Sequence, residues 1–98
     1  MSILGVQERE IALAKRFRAE RKARKLSIAE FAERAGIKPR TYAHFEQTGE
    51  ISLNRLIRAL MVLGRADEIE TLLRSRETFS SLDEMEKAIT GAPPSRKR

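Results

Sequence analysis

Residues 26–49 read LSIAEFAERAGIKPRTYAHFEQTG, and their spacing predicts two short helices joined by a tight turn. Ser27 stands where an N-cap accepts from the first turn, Glu30 three residues on completes a reciprocal capping box, and Leu26 with Phe31 makes a hydrophobic staple. Ile28, Phe31, Ala32 and Ala35 recur at helical spacing as a buried stripe, with alanines small enough to admit a neighbouring helix. Gly36 ends this helix because glycine enters the left-handed region at little cost. Ile37, the lone apolar residue of the turn, is suited to plug the angle. The next helix opens at Pro39, whose missing N–H would have no intrahelical partner there in any case. Tyr42, Phe45 and Glu46 share one side of it. Lys38, Arg40, Thr41, Ala43, His44 and Gln47 fall elsewhere, and packing gives no reason for Arg, Thr and His at those positions.

Upstream, residues 8–25 favour helix, with no Gly or Pro to interrupt them, and place Leu13, Phe17 and Arg21 on one face. An arginine on an apolar stripe is explained either by snorkelling or by a buried partner, and periodicity leaves both open. Residues 1–7 carry no pattern and are expected to be a flexible start. Downstream, Ser52 can cap a fourth helix whose Leu53, Leu56, Ile57, Leu60 and Met61 follow the spacing of a buried face, ending at Gly64. Residues 66–73 predict a short fifth helix, acidic on one side and carrying Ile69, Leu72 and Leu73 on the other, to complete the core or a dimer contact. Ser81 and Glu84 repeat the capping box over residues 81–88, a sixth short helix with Leu82, Met85 and Ile89 on a stripe that needs a partner surface. The final GAPPSRKR predicts a mobile basic end. The chain thus divides into a start (1–7), a helical domain (8–73) and a C-terminal extension (74–98).

Ninety-eight residues, 41% hydrophobic, 35% charged and 5% aromatic, suit one all-α domain on a single modest core and argue against wholesale disorder. The chain has no cysteine, so a disulfide framework, a thiolate nucleophile and a thiolate metal site are excluded. His44 has no second histidine to complete a metal site. Nothing pairs a nucleophile with a base or loops around a phosphate, so neither an enzyme nor a cofactor is expected. With no signal-like start and no run approaching the ~20 apolar residues of a bilayer span, the expected location is the cytoplasm, at the nucleoid. The net charge of +6 attracts polyanions, nucleic acid first and anionic lipid second. Its distribution is uneven: residues 15–25 hold seven bases and one acid, whereas residues 67–87 hold seven acids and three bases.

A major groove about 12 Å wide admits a single helix, while the preceding helix crosses the backbone. The start of the second helix in residues 26–49 offers the donors such a groove needs. Arg40 can read guanine bidentately, His44 lies one turn further on, and Thr41 can reach a phosphate or a thymine methyl. The helix N-termini at Ser27 and Lys38 add backbone N–H groups for phosphates. For Arg16, Arg18, Lys22, Arg24 and Lys25 the alternatives are a solvated face or an approach to the backbone. Tyr42 and Phe45 are expected in the core rather than as a stacking platform for bases.

The pattern L-S-x-A-E-F-A-x-x-A-G-I-x-x-x-T-Y-x-x-F-E-x-x-G-x-I-S-L over residues 26–53 resembles the XRE family, the Cro and phage lambda repressor type of helix-turn-helix. The likeness extends over residues 13–73 and implies a five-helix fold and a homodimer on operator double-stranded DNA, with helix 3 in the major groove. It also implies a structural ion pair between Arg21 and Glu46. The DNA-binding set it implies is Ser27, Lys38, Pro39, Arg40, Thr41, Ala43, His44 and Gln47. Two positions depart from the family pattern. Ile28 stands where many members carry a glutamine that touches phosphate, and Pro39 stands where some carry a base-reading polar residue, which moves the reading to Lys38, Arg40, Ala43 and His44. The segment F-S-S-L-D-E-M-E after the domain resembles small antitoxins of the HipB type, implying a cognate toxin protein as a further partner.

Overall fold

The computed structural model describes residues 4–75. Five helices follow in order: α1 (Val6–Ala23), α2 (Ile28–Ala35), α3 (Pro39–Thr48), α4 (Leu53–Val62) and α5 (Asp67–Thr71). Among the described residues there is no strand, so the domain is all-α. The helix expected over residues 81–88 and the basic end lie outside the described residues.

Three of the turns repeat one device. At the end of α1 the Leu26 N–H donates to the Arg21 carbonyl (3.2 Å) and the Lys25 N–H to that of Lys22 (2.9 Å), with Lys25 in the left-handed region at φ 59°. At the end of α2 the Ile37 N–H donates to the Ala32 carbonyl (2.9 Å) and the Gly36 N–H to that of Glu33 (3.1 Å), and Gly36 has φ 71°. The end of α4 repeats the pattern through Gly64 and Arg65. This double bond satisfies carbonyls that a helix end otherwise leaves unpaired. In the first two turns the next residue, Leu26 or Ile37, is buried in the core, so each turn drives a hydrophobe inward. The start of α2 is held by Ser27 and Glu30 reciprocally: Ser27 Oγ accepts from the Glu30 N–H (3.0 Å) and the Glu30 carboxylate accepts from the Ser27 N–H (2.8 Å). A cap of this kind is worth about 1 kcal/mol.

Four rings occupy the centre. Phe31 stacks on Tyr42 with centroids 4.7 Å apart, and Phe17 meets Phe45 edge-on at 5.3 Å. Tyr42, Phe31 and Phe45 are the largest fully buried side chains, and Ala14, Ala32, Ala35 and Ala59 close the core around them. Through these contacts α3 is packed against both α1 and α2, and α2 against α4.

The face of α4 differs from the expected one. Leu56 and Leu60 are half-buried and Ala59 and Leu63 are buried, but Leu53 and Met61 are each 65% exposed. The cause is the partner: α2 presents the small residues Ala32 and Ala35, so α4 sits close by turning its own alanine inward rather than centring its leucines. The residues at the edge of the leucine pattern, Leu53, Ile57 and Met61, therefore form a separate stripe one turn apart. In α5 no residue is fully buried. Ile69 is half-buried, whereas Leu72 and Leu73 are 67% and 94% exposed and do not complete the core.

Candidate nucleic-acid interface

Helix α3 is set in place by a buried ion pair behind it. Arg21 on α1 donates from Nε to Glu46 Oε2 (2.8 Å) and from Nη2 to Oε1 (3.0 Å), while Nη1 donates to the Leu26 carbonyl (2.8 Å). The side chains are only 8% and 5% exposed. One guanidinium thereby ties α3 to α1 and to the turn that starts α2, and its planar fork suits this task as lysine's point charge does not. Burial works to raise the Glu46 carboxyl pKa, but the Arg21 hydrogen bonds, the neighbouring Tyr42 hydroxyl, and the charges of Arg21 and Arg18 outweigh it and hold the pKa below its ordinary value. The Tyr42 hydroxyl is shielded from solvent and has no hydrogen-bond partner within 3.5 Å among the described residues. Burial, with the Glu46 carboxylate nearby, pushes its pKa upward, so the phenol stays neutral.

With Tyr42 and Phe45 inward, the rest of α3 is offered to the outside. Lys38, Pro39, Arg40, His44 and Gln47 are exposed, Thr41 and Ala43 half-buried, and Ser27 at the start of α2 exposed. Ala43, Gln47 and Ile28 also line a shallow depression bordered by Lys15 and Arg18 of α1. Ile28 packs partly against the core, so the position where a phosphate-touching glutamine is common is an apolar floor here, and the nearest cations come from α1. Of the basic α1 residues, Arg18 borders this depression, whereas Arg16 lines another with Leu60 and Arg65. Arg24 is engaged elsewhere: its Nη1 pairs with Glu20 at 2.5 Å and its Nη2 donates to the Leu63 carbonyl at 3.2 Å. Glu20 in turn meets Arg65, which pairs with Glu68, an exposed chain worth little in stability.

His44 has a partner that helical spacing cannot suggest. Its Nε2 lies 2.9 Å from Glu50 Oε1, across the turn made by Gly49. Thr48 shapes that turn, its hydroxyl donating to the His44 carbonyl (2.8 Å) and accepting from the Glu50 N–H (3.1 Å). Gly49 itself has φ 85° and is pressed against α1, so that a Cβ there would lie 2.7 Å from the Glu10 carbonyl carbon. Only glycine meets both demands. Helical periodicity does not point to Glu50. The signal available was a threonine two residues before it, a local side-chain turn.

Among the described residues no group of three or more His, Asp or Glu side chains could hold a metal ion, and no helix is long and apolar enough to cross a membrane. A family model described as Helix-turn-helix matches residues 17–68. These residues run from Phe17 in α1 to Glu68 in α5 and include every side chain of the surface built above except Lys15 and Arg16. No curated protein and no solved structure matches the chain.

Proposed function

The chain belongs to the helix-turn-helix family of DNA-binding regulators, and from that premise we propose that it is a sequence-specific repressor that binds operator DNA as a homodimer with α3 in the major groove. The observation that carries this reading is the division of α3: Tyr42 and Phe45 are fully buried and Glu46 is paired with Arg21, while Lys38, Arg40, His44 and Gln47 are exposed on the outward side of the helix. Rigid presentation matters because base contacts discriminate only when held in register. In this reading Arg40 and His44 contact base edges. Thr41, Gln47, Ser27 and the N–H groups that open α2 and α3 contact phosphate. Pro39 and Ala43 add apolar contact, and Arg18 and Lys15 border the backbone. In a homodimer the half-sites are spaced about one helical turn, roughly 34 Å. Arg40→Ala and His44→Ala should each lower discrimination against a mismatched operator, by about 1–3 kcal/mol for Arg40, while binding to random DNA falls little. Competition binding at fixed salt checks it, and parental discrimination in both variants would remove them from the reading surface.

A second reading concerns residues 74–98. Their acidic stretch with Leu82, Met85 and Ile89 at helical spacing in the sequence favours a protein partner, which for an antitoxin of the HipB type is a toxin, with DNA binding as autoregulation. A pull-down that compares the full chain with one ending at residue 73 tests it: loss of a partner on truncation supports the reading, and an unchanged set of partners ends it.

A further inference from the structure

We propose that Glu50 fixes the tautomer of His44 and thereby makes it a hydrogen-bond acceptor toward DNA, selecting adenine or cytosine, whose exocyclic amino groups donate, on the strand that His44 faces. The inference rests on the reading of α3 as the recognition helix and adds a residue outside α3 to the specificity machinery. Its basis is the 2.9 Å contact between His44 Nε2 and Glu50 Oε1. An ionised carboxylate can only accept, so in the neutral ring Nε2 must carry the hydrogen and Nδ1 must be the bare lone pair. The ring's two nitrogens point in different directions, so engaging Nε2 with Glu50 leaves Nδ1 for another partner. Nothing among the described residues is hydrogen-bonded to Nδ1, and the side chain is 54% exposed. In the major groove a bare acceptor suits adenine N6 or cytosine N4 and is mismatched to guanine O6 and N7, which are themselves acceptors. Arg40, one turn earlier, has the opposite preference, so the two side chains would read different bases.

The arrangement is held from both ends. Thr48 accepts from the Glu50 N–H and donates to the His44 carbonyl, and Gly49 closes the turn against α1, so the carboxylate is presented by a defined loop. Glu50 also places a negative charge beside a surface that is otherwise basic. This opposes binding to phosphate in general, and a residue that lowers non-specific affinity while orienting a base reader raises the specificity ratio twice over.

The test uses Glu50→Gln in the full chain, because an amide of the same shape can either accept from or donate to Nε2 and no longer dictates the tautomer. His44 is the single histidine of the chain, so ring ¹⁵N shifts report it without assignment; they are recorded at pH 8.5, above the ordinary histidine range. The parent should show protonated Nε2 and bare Nδ1, and Glu50→Gln should shift both signals toward a mixture. Selection from random DNA at the same pH identifies the base-pair step whose preference disappears in His44→Ala. At that step the parent should prefer the amino-bearing base to its analogue without the amino group (purine for adenine, pyrimidin-2-one for cytosine) by about five- to tenfold, the worth of one hydrogen bond. Glu50→Gln should lose this preference while binding random DNA more tightly. Unchanged ring shifts in Glu50→Gln, or parental binding that is indifferent to removal of the amino group at that step, overturns the proposal. A parent that selects no sequence at all overturns the DNA-reading premise instead, and the ring shifts, measured without DNA, keep the two failures apart.

Discussion

Arg21 makes three hydrogen bonds from one buried guanidinium, two of them to Glu46, and its worth depends on how the pair is broken. Removing one partner leaves a buried charge without compensation, so Arg21→Met or Glu46→Leu alone should cost about 3–5 kcal/mol. The double variant, which removes both charges, should be more stable than either single one, and denaturant unfolding of the four proteins gives the coupling directly. Additive costs would show that the pair contributes through packing rather than charge. Periodicity left Arg21 open between snorkelling and a partner, because a helix face specifies which residues lie together but not what lies opposite. Arg21 and Glu46 stand 25 positions apart in the chain and are brought together by tertiary structure; in the sequence, only the family resemblance implies the pair. Glu50 shows the same limit at shorter range, since its contact with His44 crosses a turn whose path depends on Gly49 fitting against Glu10.

Among the elements, the ends of helices were more legible than their faces. Ser27, Glu30, Gly36 and Pro39 act locally, within a few residues, and the boundaries of α2 and α3 follow from them. Faces answer to neighbours. The leucine pattern of α4 was compatible with more than one rotation about its axis, and the choice fell to the small residues of α2. The stripe left outside, Leu53, Ile57 and Met61, is the contact expected between the two copies of the proposed homodimer. Charging it with Leu53→Glu and Met61→Glu together should abolish association in light scattering and weaken operator binding at least tenfold, while the thermal midpoint of the monomeric fold moves little because both side chains are already 65% exposed. A dimer that survives both charges would place the contact elsewhere.

For the whole molecule, the pH range of stability follows from the same buried cluster. The folded pKa of Glu46 lies below its ordinary value, as do those of Glu20 and Glu30. Their contribution is therefore present above the unfolded carboxylate value of about 4.3 and is lost as pH falls through the lower folded values. Tyr42 is shifted upward, so its contribution is complete below about 10 and is lost as pH rises beyond that. Unfolding free energy should be flat across neutral pH and fall at both extremes. In Glu46→Gln the acid slope should become shallower, whereas an unchanged slope would assign the acid sensitivity to other carboxylates.

The order of the helices, the capping of α2, the turn at Gly36 and the inward pair Tyr42 and Phe45 were determined by the sequence alone, because each rests on backbone propensities and spacings that act over one or two turns. Residues 26–49 carry most of that information. The rotation of α4, the exposure of Leu53 and Met61, the crowding of Gly49 by α1, and the coupling of His44 to Glu50 were decided only by the tertiary structure. The first three depend on how closely surfaces distant in sequence can approach, which the volumes of the side chains on both of them set, and the last on the path of a turn that Gly49 takes against α1.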